Sequence, residues 1–218
     1  MPKETFHNLD AVKRERFIQE ALKEFCLHDY QQASLSQIVK RLSIAKGSVY
    51  QYFENKADLY LYLYQLVQQK KAEYVQGRPM RPDEDFFDWI EELWVEGLRF
   101  DAENPLFTGF LFNVMYEKDE VAKHLMEENQ ARAKAYFGPL FRQFQESGLL
   151  RKDVDVDFMV HFFTQSAEGL ARYTMRFHEH DIRERVKEGR PFISSNREEI
   201  MGLVKQLTRL LRTGMMDS

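Results

Sequence analysis

Apolar residues recur at intervals of three and four positions along most of the chain, which predicts amphipathic helices rather than strands. Neither an internal repeat nor a low-complexity tract interrupts this pattern. The chain should therefore fold as an all-α protein with eight to ten helices. Its polar lead, residues 1–9, is predicted to fray. Helices are predicted over residues 10–27, 34–42, 45–53, 55–76, 83–103, 106–116, 120–146, 156–178 and 196–213.

Glycine, proline and polar residues mark where these helices should begin and end. Asn55 is placed to cap the helix that follows it, and Gly148 to close the helix that precedes it. Pro139 is expected to kink or split the helix over residues 120–146. The sequence GRPMRPD, residues 77–83, is the clearest linker, and the polar segment 178–195 should be a loop or a short extra turn.

Two short predicted helices follow each other in the sequence between Ser34 and Phe53. Ser34 is placed to cap the first one, with Gln37 completing a capping box. The pattern breaks at Ser43 and leaves a turn of three or four residues before the second helix. Two short helices joined in this way are typical of a DNA-binding helix-turn-helix. The apolar face of the first helix consists of Leu35, Ile38, Val39 and Leu42.

The second short helix can be divided into an inner and an outer face. Val49 and Phe53 should point to the core, which turns small, amide and hydroxyl groups outward. Such groups can hydrogen-bond base edges, while tyrosine hydroxyls and lysine ammonium groups reach phosphates. From the pattern alone, an ordinary helical hairpin with a solvated polar face stays equally open. The candidate DNA-binding residues are Ser34, Lys46, Gly47, Ser48, Tyr50, Gln51, Tyr52 and Lys56.

The segment IAKGSVYQYF, residues 44–53, followed by Asn55, Lys56 and Leu59, resembles the signature of the tetracycline-repressor (TetR) family of bacterial regulators. One departure is Ser43, where the family commonly has glycine. The resemblance implies an N-terminal three-helix helix-turn-helix DNA-binding domain over residues 1–55 and a helical ligand-binding and dimerisation domain over residues 56–218. It also implies a repressor that binds a palindromic operator on double-stranded DNA as a homodimer and is released by a small apolar or amphipathic effector.

The charge distribution favours DNA contact through the first part of the chain only. Residues 1–56 carry nine Lys and Arg against seven Asp and Glu, and the remainder carries 22 against 28. The net charge of −4 argues against a general nucleic-acid coat protein. Because neither an apolar leader nor a long uncharged apolar run is present, a cytoplasmic protein without membrane contact is expected.

Aromatic side chains are more abundant in the middle helices than a compact bundle requires. They could simply fill the core, or they could line an apolar cavity with polar tips that orient a ligand. The family resemblance favours the cavity. The candidate ligand-binding residues are Trp89, Trp94, Phe107, Phe110, Met115, Tyr116, Phe137, Phe163 and Tyr173.

The last two predicted helices each carry a wide apolar face that needs a partner. That partner is either the core of the same chain or a second copy, in which case the two pairs of helices form an isologous four-helix interface. Because helix-turn-helix proteins usually bind two half-sites, a dimer is expected. The candidate interface residues are Phe158, Phe162, Gly169, Leu203, Leu207, Leu210 and Leu211.

Motifs for enzyme or metal chemistry are missing from the sequence. It contains neither His-Glu-x-x-His nor a phosphate-binding glycine loop nor Gly-x-Ser-x-Gly, so an enzyme is not expected. His178 and His180 do not share a helix face, so neither a metal nor another cofactor is expected. The single cysteine, Cys26, should be a buried small apolar residue rather than a redox sensor. The main alternative function is a helical protein–protein interaction module without a small-molecule ligand.

Overall fold

The computed structural model describes residues 1–75, 79–81, 83–116, 119–175, 188 and 196–216. Apart from an isolated antiparallel bridge between Leu150 and Met216, these ranges contain helices and turns without strands. The predicted all-α fold is therefore confirmed. The helices are α1 Glu4–His7, α2 Ala11–Leu27, α3 Leu35–Leu42, α4 Ser48–Tyr52, α5 Lys56–Val75, α6 Phe86–Glu103, α7 Pro105–Tyr116, α8 Glu120–Glu146, α9 Val156–Met175 and α10 Arg197–Met215.

Side-chain caps begin the two helices on either side of the helix-turn-helix. The carboxylate of Asp10 accepts a hydrogen bond from the Lys13 amide at 2.9 Å, and this bond holds the pKa of the Asp10 carboxyl below its usual value. The side-chain oxygen of Asn55 accepts from the Asp58 amide, also at 2.9 Å, which confirms Asn55 as the cap of α5. Each cap satisfies an amide that has no partner inside its own helix.

One compact unit contains Met1–Glu73 and Asn104–Leu125. Within it, α2 packs against α3 and α7, and α1 packs against α4. The side chain of Asn113 on α7 donates to the carbonyl oxygens of Phe25 and Cys26 at 2.7 and 3.1 Å, which ties α7 to the end of α2. The Cys26 side chain is buried, as predicted. The core of this unit includes Phe6, Phe17, Leu22, Phe25, Val49, Phe53, Leu59, Tyr60, Leu63 and Phe110.

The other compact unit contains Tyr74–Glu103 and the described parts of residues 126–180 and 192–218. Here α10 packs against both α6 and α9. The Arg212 guanidinium donates to both carboxylate oxygens of Asp85, at 2.9 and 2.6 Å, and lies 5.0 Å from the centre of the Phe87 ring. These contacts fasten the end of α10 to the beginning of α6. The core includes Phe86, Phe87, Trp89, Ile90, Phe141, Phe144, Leu150, Met159, Val160, Phe163, Leu211 and Met215.

Two predictions about the first part of the chain are wrong. Residues 1–9 do not fray as a whole, because Phe6 is fully buried and residues 4–7 form α1. The second short helix starts at Ser48 and not at Ala45. Residues 45–47 form a turn instead, closed by a 2.9 Å hydrogen bond from the Ser48 amide to the Ala45 carbonyl oxygen.

In the second part of the chain, the prediction for Gly148 is confirmed, since this residue ends α8 with φ +79°. Helix α8 is not split at Pro139, because Phe141 and Phe144 on the following turn are held in the core. Residues 176–178 of the predicted ninth helix lie outside the described residues, as do the segment 178–195 apart from Glu188 and part of the linker 77–83. Among the described helices, none is both long and apolar enough to cross a membrane.

Candidate nucleic-acid interface

Helix α3 ends in a turn that sets the position of α4. The Ile44 amide bonds the Val39 carbonyl oxygen at 3.1 Å, and the Ser43 amide bonds the Lys40 carbonyl oxygen at 3.2 Å. This pair of hydrogen bonds is the Schellman arrangement, which requires a left-handed residue just after the helix. Ser43 has φ +57°, so serine occupies the position that the family resemblance assigns to glycine. The cost of this conformation for a non-glycine residue is about 1–2 kcal/mol.

Helix α4 divides into the two faces that its sequence predicts. Val49 and Phe53 are buried, which confirms the inner face. Ser48 and Tyr52 are half-buried, and Tyr52 packs against the Phe17 ring with the ring centres 5.6 Å apart. The exposed members of the predicted DNA-binding set are Lys46, Gly47, Tyr50 and Gln51. These exposed candidates lie in the turn just before α4 and on α4 itself.

Among the described residues, nothing around Gly47 requires a glycine at this position. Its φ of −70° is an ordinary helical value that any residue adopts. A Cβ atom built on Gly47 would meet no other atom within 4 Å. The absence of a side chain would therefore matter only to a partner outside this unit that approaches the backbone.

Ser34 does not cap α3 with its side chain, so the predicted capping box is wrong. The carboxylate of Glu24, which is almost fully buried, accepts from the Ser34 amide at 2.9 Å, which is the role that the capping box gives to the Gln37 side chain. The same carboxylate accepts from Arg41 at 2.8 Å, and Arg41 also pairs with Glu20 at 2.6 Å. This charged cluster fixes α3 against α2. Sequence analysis missed it, and the spacing of Glu20 and Glu24 on one face of α2 was its only signal.

The Lys56 side chain lies beside the connection between α2 and α3. Its ammonium group donates to the carbonyl oxygens of Tyr30, Ala33 and Gln31, at 2.6, 3.2 and 3.3 Å. It also lies 4.6 Å from the centre of the Tyr30 ring. Because an ammonium group has three donors, these contacts use all of them. The predicted contact of Lys56 with phosphate stays a prediction, and it would require exchange of at least one of these bonds.

Comparisons with known proteins agree with this geometry. A model of bacterial regulatory proteins of the tetR family matches residues 17–63. The "Probable acrEF/envCD operon repressor" of Escherichia coli K12 is 24% identical over 170 residues, which cover 75% of this chain and 76% of that protein. A TetR family transcriptional regulator from Chloroflexus aurantiacus J-10-FL is 29% identical, with a TM-score of 0.79 and 100% of each chain covered.

Residues 17–63 of this chain match the TetR family of regulators, and the whole chain shares its fold with a TetR family regulator. The chain is a DNA-binding transcriptional regulator, which confirms the prediction that it is not an enzyme and favours this function over an interaction module. The structure of a SmeT–triclosan complex shares the fold at 13% identity, with a TM-score of 0.67 and coverage of 95% of this chain and 93% of that chain.

The nine predicted ligand-binding residues of this regulator fall into two groups. Phe107, Phe110, Met115 and Tyr116 lie on α7 in the first unit, where Phe110 is buried against Tyr60 with the ring centres 5.1 Å apart. The other five lie in the second unit. There the Phe163 ring packs between Trp94 and Phe137, 5.1 and 5.0 Å away. The other two members of the second group are Trp89, which is buried, and Tyr173, which is exposed.

A groove of about 340 Å³, which the sequence does not predict, lies between α8 and α9. Lys134 and Asp157 pair across it at 2.7 Å, and its lining includes none of the predicted ligand-binding residues. No motif or apolar periodicity singles out these residues, because most of them are polar and lie on the outer sides of their helices. The lining residues are Glu127, Gln130, Ala131, Lys134, Asp157, Val160, His161 and Thr164.

The predicted dimer-interface residues differ strongly in exposure. Phe158 and Phe162 on α9 are 60% and 51% exposed and stack on each other, with the ring centres 6.4 Å apart. On α10, Leu210 is 72% exposed, whereas Leu211 is buried in the core of its own unit. Gly169 is exposed, and Leu203 and Leu207 are half-buried. Most of the predicted set therefore lies at the surface of α9 and α10, and Leu211 does not.

Proposed function

We propose that this regulator is a repressor that binds a palindromic operator as a homodimer and is released by a small apolar or amphipathic effector. In this proposal, residues 1–55 form the DNA-binding domain, and residues 56–218 form the ligand-binding and dimerisation domain. The name of the Escherichia coli relative, an operon repressor, supports repression rather than activation.

The outer face of α4 is the observation that carries the proposal. The helix offers an amide at Gln51 and a phenol at Tyr50, and the turn just before it offers an ammonium group at Lys46 and a bare backbone at Gly47. These groups suit a major groove, where an amide can bond a base edge and a phenol or ammonium group can bond phosphate. Gly47 supports the same reading, because no described part of the chain would obstruct a side chain there.

The exposed aromatic side chains on α9 support the homodimer. Phe158 and Phe162 lie one turn apart on the same face, and α10 packs beside α9 with Leu210 exposed. Burial of such side chains against a second copy would be favourable by about 25 cal/mol per Å² of apolar surface. A twofold interface repeats the same residues in both copies, so a single apolar face is sufficient.

Helix α5 supports the coupling between effector and DNA, because it is continuous from Lys56 to Val75. At its first residue it bonds the connection between α2 and α3. Near its last turn, Tyr74 donates to the Glu103 carboxylate at 2.7 Å and packs against the Phe100 ring. An effector that favours one position of α5 over another would change DNA affinity by the difference between its affinities for the two states. The complex of SmeT with triclosan is a precedent in a protein of the same fold.

The test begins with selection of bound duplexes from a random DNA pool, for which we expect a palindromic consensus. Candidate effectors are then titrated against the fluorescence of Trp89 and Trp94, with and without the selected operator. Coupling of about 1–3 kcal/mol would make operator DNA weaken the effector about 5- to 150-fold, by the same factor as the effector weakens DNA. Absence of any enriched duplex would contradict operator binding. Equal effector affinity in both titrations would contradict release by the effector.

A further inference from the structure

Helix α4 is only five residues long, and its own hydrogen bonds do not satisfy its last turn. Isolated helices below about 12–15 residues are marginal in water, and the last carbonyl oxygens of any helix have no partner within it. The Phe53 amide bonds the Val49 carbonyl oxygen at 2.8 Å. The carbonyl oxygens of Tyr50, Gln51 and Tyr52 need donors from elsewhere.

Residues 1–8, here called the N-terminal arm, provide those three donors. The Lys3 ammonium group donates to the Tyr50 carbonyl oxygen at 2.8 Å, and the Lys3 amide donates to the Tyr52 carbonyl oxygen at the same distance. The Thr5 hydroxyl donates to the Gln51 carbonyl oxygen between them. Three consecutive carbonyl groups at the end of α4 are thus capped by a segment more than forty residues away in the sequence.

The arm is itself fixed to the core of its unit. Phe6 is fully buried, and its ring centre lies 4.9 Å from that of Phe53 and 5.6 Å from that of Phe17. The Arg14 guanidinium on α2 donates to the carbonyl oxygen of His7 at 3.2 Å, at the end of α1. Because the arm is anchored on α2 and on the residue that ends α4, its donors hold α4 in a defined position.

We propose that the N-terminal arm is a positioning element of the DNA-reading surface, with Lys3 and Thr5 as its positioning residues. Tyr50 and Gln51 present their side chains outward, and the carbonyl groups of these same two residues are held by the arm. Loss of either bond should let the end of α4 move, which would misdirect the Gln51 amide. This proposal rests on the proposed function of α4, and it gives Lys3 a role other than a phosphate contact.

Matched substitutions in the full chain test the proposal. Thr5→Val removes the hydroxyl at constant shape, and Thr5→Ser keeps it. Lys3→Met removes the ammonium group, and Lys3→Arg keeps a cationic donor. Lys13→Met is the charge control, because Lys13 is exposed on α2 and pairs with Asp10. The probes are the operator duplex selected from the random pool and a scrambled duplex of equal length, both measured by fluorescence anisotropy over a salt series.

We expect Thr5→Val and Lys3→Met each to lower the preference for operator over scrambled duplex about tenfold, as for a lost hydrogen bond that involves a precisely placed group. Thr5→Ser, Lys3→Arg and Lys13→Met should keep the wild-type preference. The salt dependence of binding should not change in the Lys3 variants. An unchanged preference in both Thr5→Val and Lys3→Met would overturn the proposal. Equal loss on both duplexes in Lys3→Met, with the salt slope lowered by about one, would make Lys3 a phosphate contact instead.

Amide hydrogen exchange tests the contact without DNA. The amides of Tyr52 and Phe53 should exchange faster in Thr5→Val and Lys3→Met than in the wild type, and at the wild-type rate in Lys13→Met. Unchanged exchange would overturn the proposal even if DNA binding falls. If the wild-type chain prefers no duplex, the proposed function of α4 fails on its own, and exchange still decides whether the arm holds α4.

Discussion

The outer faces of α4 and α9 are both exposed, yet their chemistry is opposite. On α4, the exposed groups are a backbone at Gly47, a phenol at Tyr50 and an amide at Gln51. On α9, the exposed groups include the stacked rings of Phe158 and Phe162. The polar face can remain hydrated until a hydrogen-bonding partner replaces the water, whereas the apolar face gains free energy from any partner that excludes water.

This difference indicates which partner suits each face. Base edges offer donors and acceptors in a fixed pattern, so a polar face can discriminate between sequences. An apolar face carries little directional information, but it gives a large and unspecific gain on burial. Specificity should therefore come from α4, and the affinity that depends on two linked half-sites should come from α9. The following substitutions separate these contributions, from the largest expected effect to the smallest.

Charges on the apolar face should have the largest effect. Phe158→Glu combined with Phe162→Glu should yield monomers, because two buried carboxylates in an apolar interface would be strongly unfavourable. Loss of linkage between two half-sites should weaken operator binding by about 100- to 10,000-fold. Sedimentation velocity and operator titration measure the two effects.

The matched control for this pair is Tyr136→Glu, since Tyr136 on α8 is as exposed as Phe158 but outside the proposed interface. It should remain dimeric. Circular dichroism should be unchanged in all variants, because none of these side chains lies in the core. An intact dimer in the double variant would contradict the assignment of the interface to α9. Leu211→Glu is unsuitable for this test, because Leu211 lies in the core of its own unit.

Gln51→Ala should have an intermediate effect confined to sequence discrimination. A bidentate contact between a glutamine amide and adenine contributes about 1–3 kcal/mol of discrimination. We expect the preference for one base over the others to weaken at one position in each half-site, while the protein remains a dimer. Binding measured across a set of single-base operator variants would show this pattern. An equal loss of affinity for every duplex would instead indicate that Gln51 contacts the DNA phosphate backbone.

Lys56→Ala should have the smallest effect, a uniform loss on all DNA sequences. If Lys56 binds phosphate, the slope of log affinity against log salt should fall by about one unit. Three carbonyl oxygens compete for the same ammonium group. An unchanged slope, together with a lower free energy of unfolding, would assign Lys56 to the connection between α2 and α3. Lys46→Ala is a useful comparison, because the Lys46 side chain is exposed.

The features that sequence analysis predicted correctly depend on short-range patterns. The inner face of α4 follows from the spacing of Val49 and Phe53, and the cap of α5 follows from Asn55. Gly148 ends α8 as its position predicts. In each case the partners lie within one or two turns, so local periodicity and turn chemistry contain the necessary information.

The features that were missed depend on contacts between distant residues. Glu24 accepts from the Ser34 amide in place of the predicted Gln37, and Lys3 and Thr5 cap a helix that begins more than forty residues later. Within the wide apolar face of α10, Leu210 and Leu211 look equivalent in the sequence, yet one is exposed and the other is buried. Periodicity predicts an apolar face, but the packing of α6 and α9 against α10 decides which of its residues are covered.

The most direct test of the division between the two faces is a base-preference profile on a single half-site duplex, where dimerisation makes no contribution to affinity. The profile is measured for the wild type, for Gln51→Ala, and for Phe158→Glu combined with Phe162→Glu. We predict that the α9 double variant keeps the wild-type profile and that Gln51→Ala loses preference at one base. An altered profile in the α9 variant, or an unaltered profile in Gln51→Ala, would contradict the assignment of sequence recognition to α4.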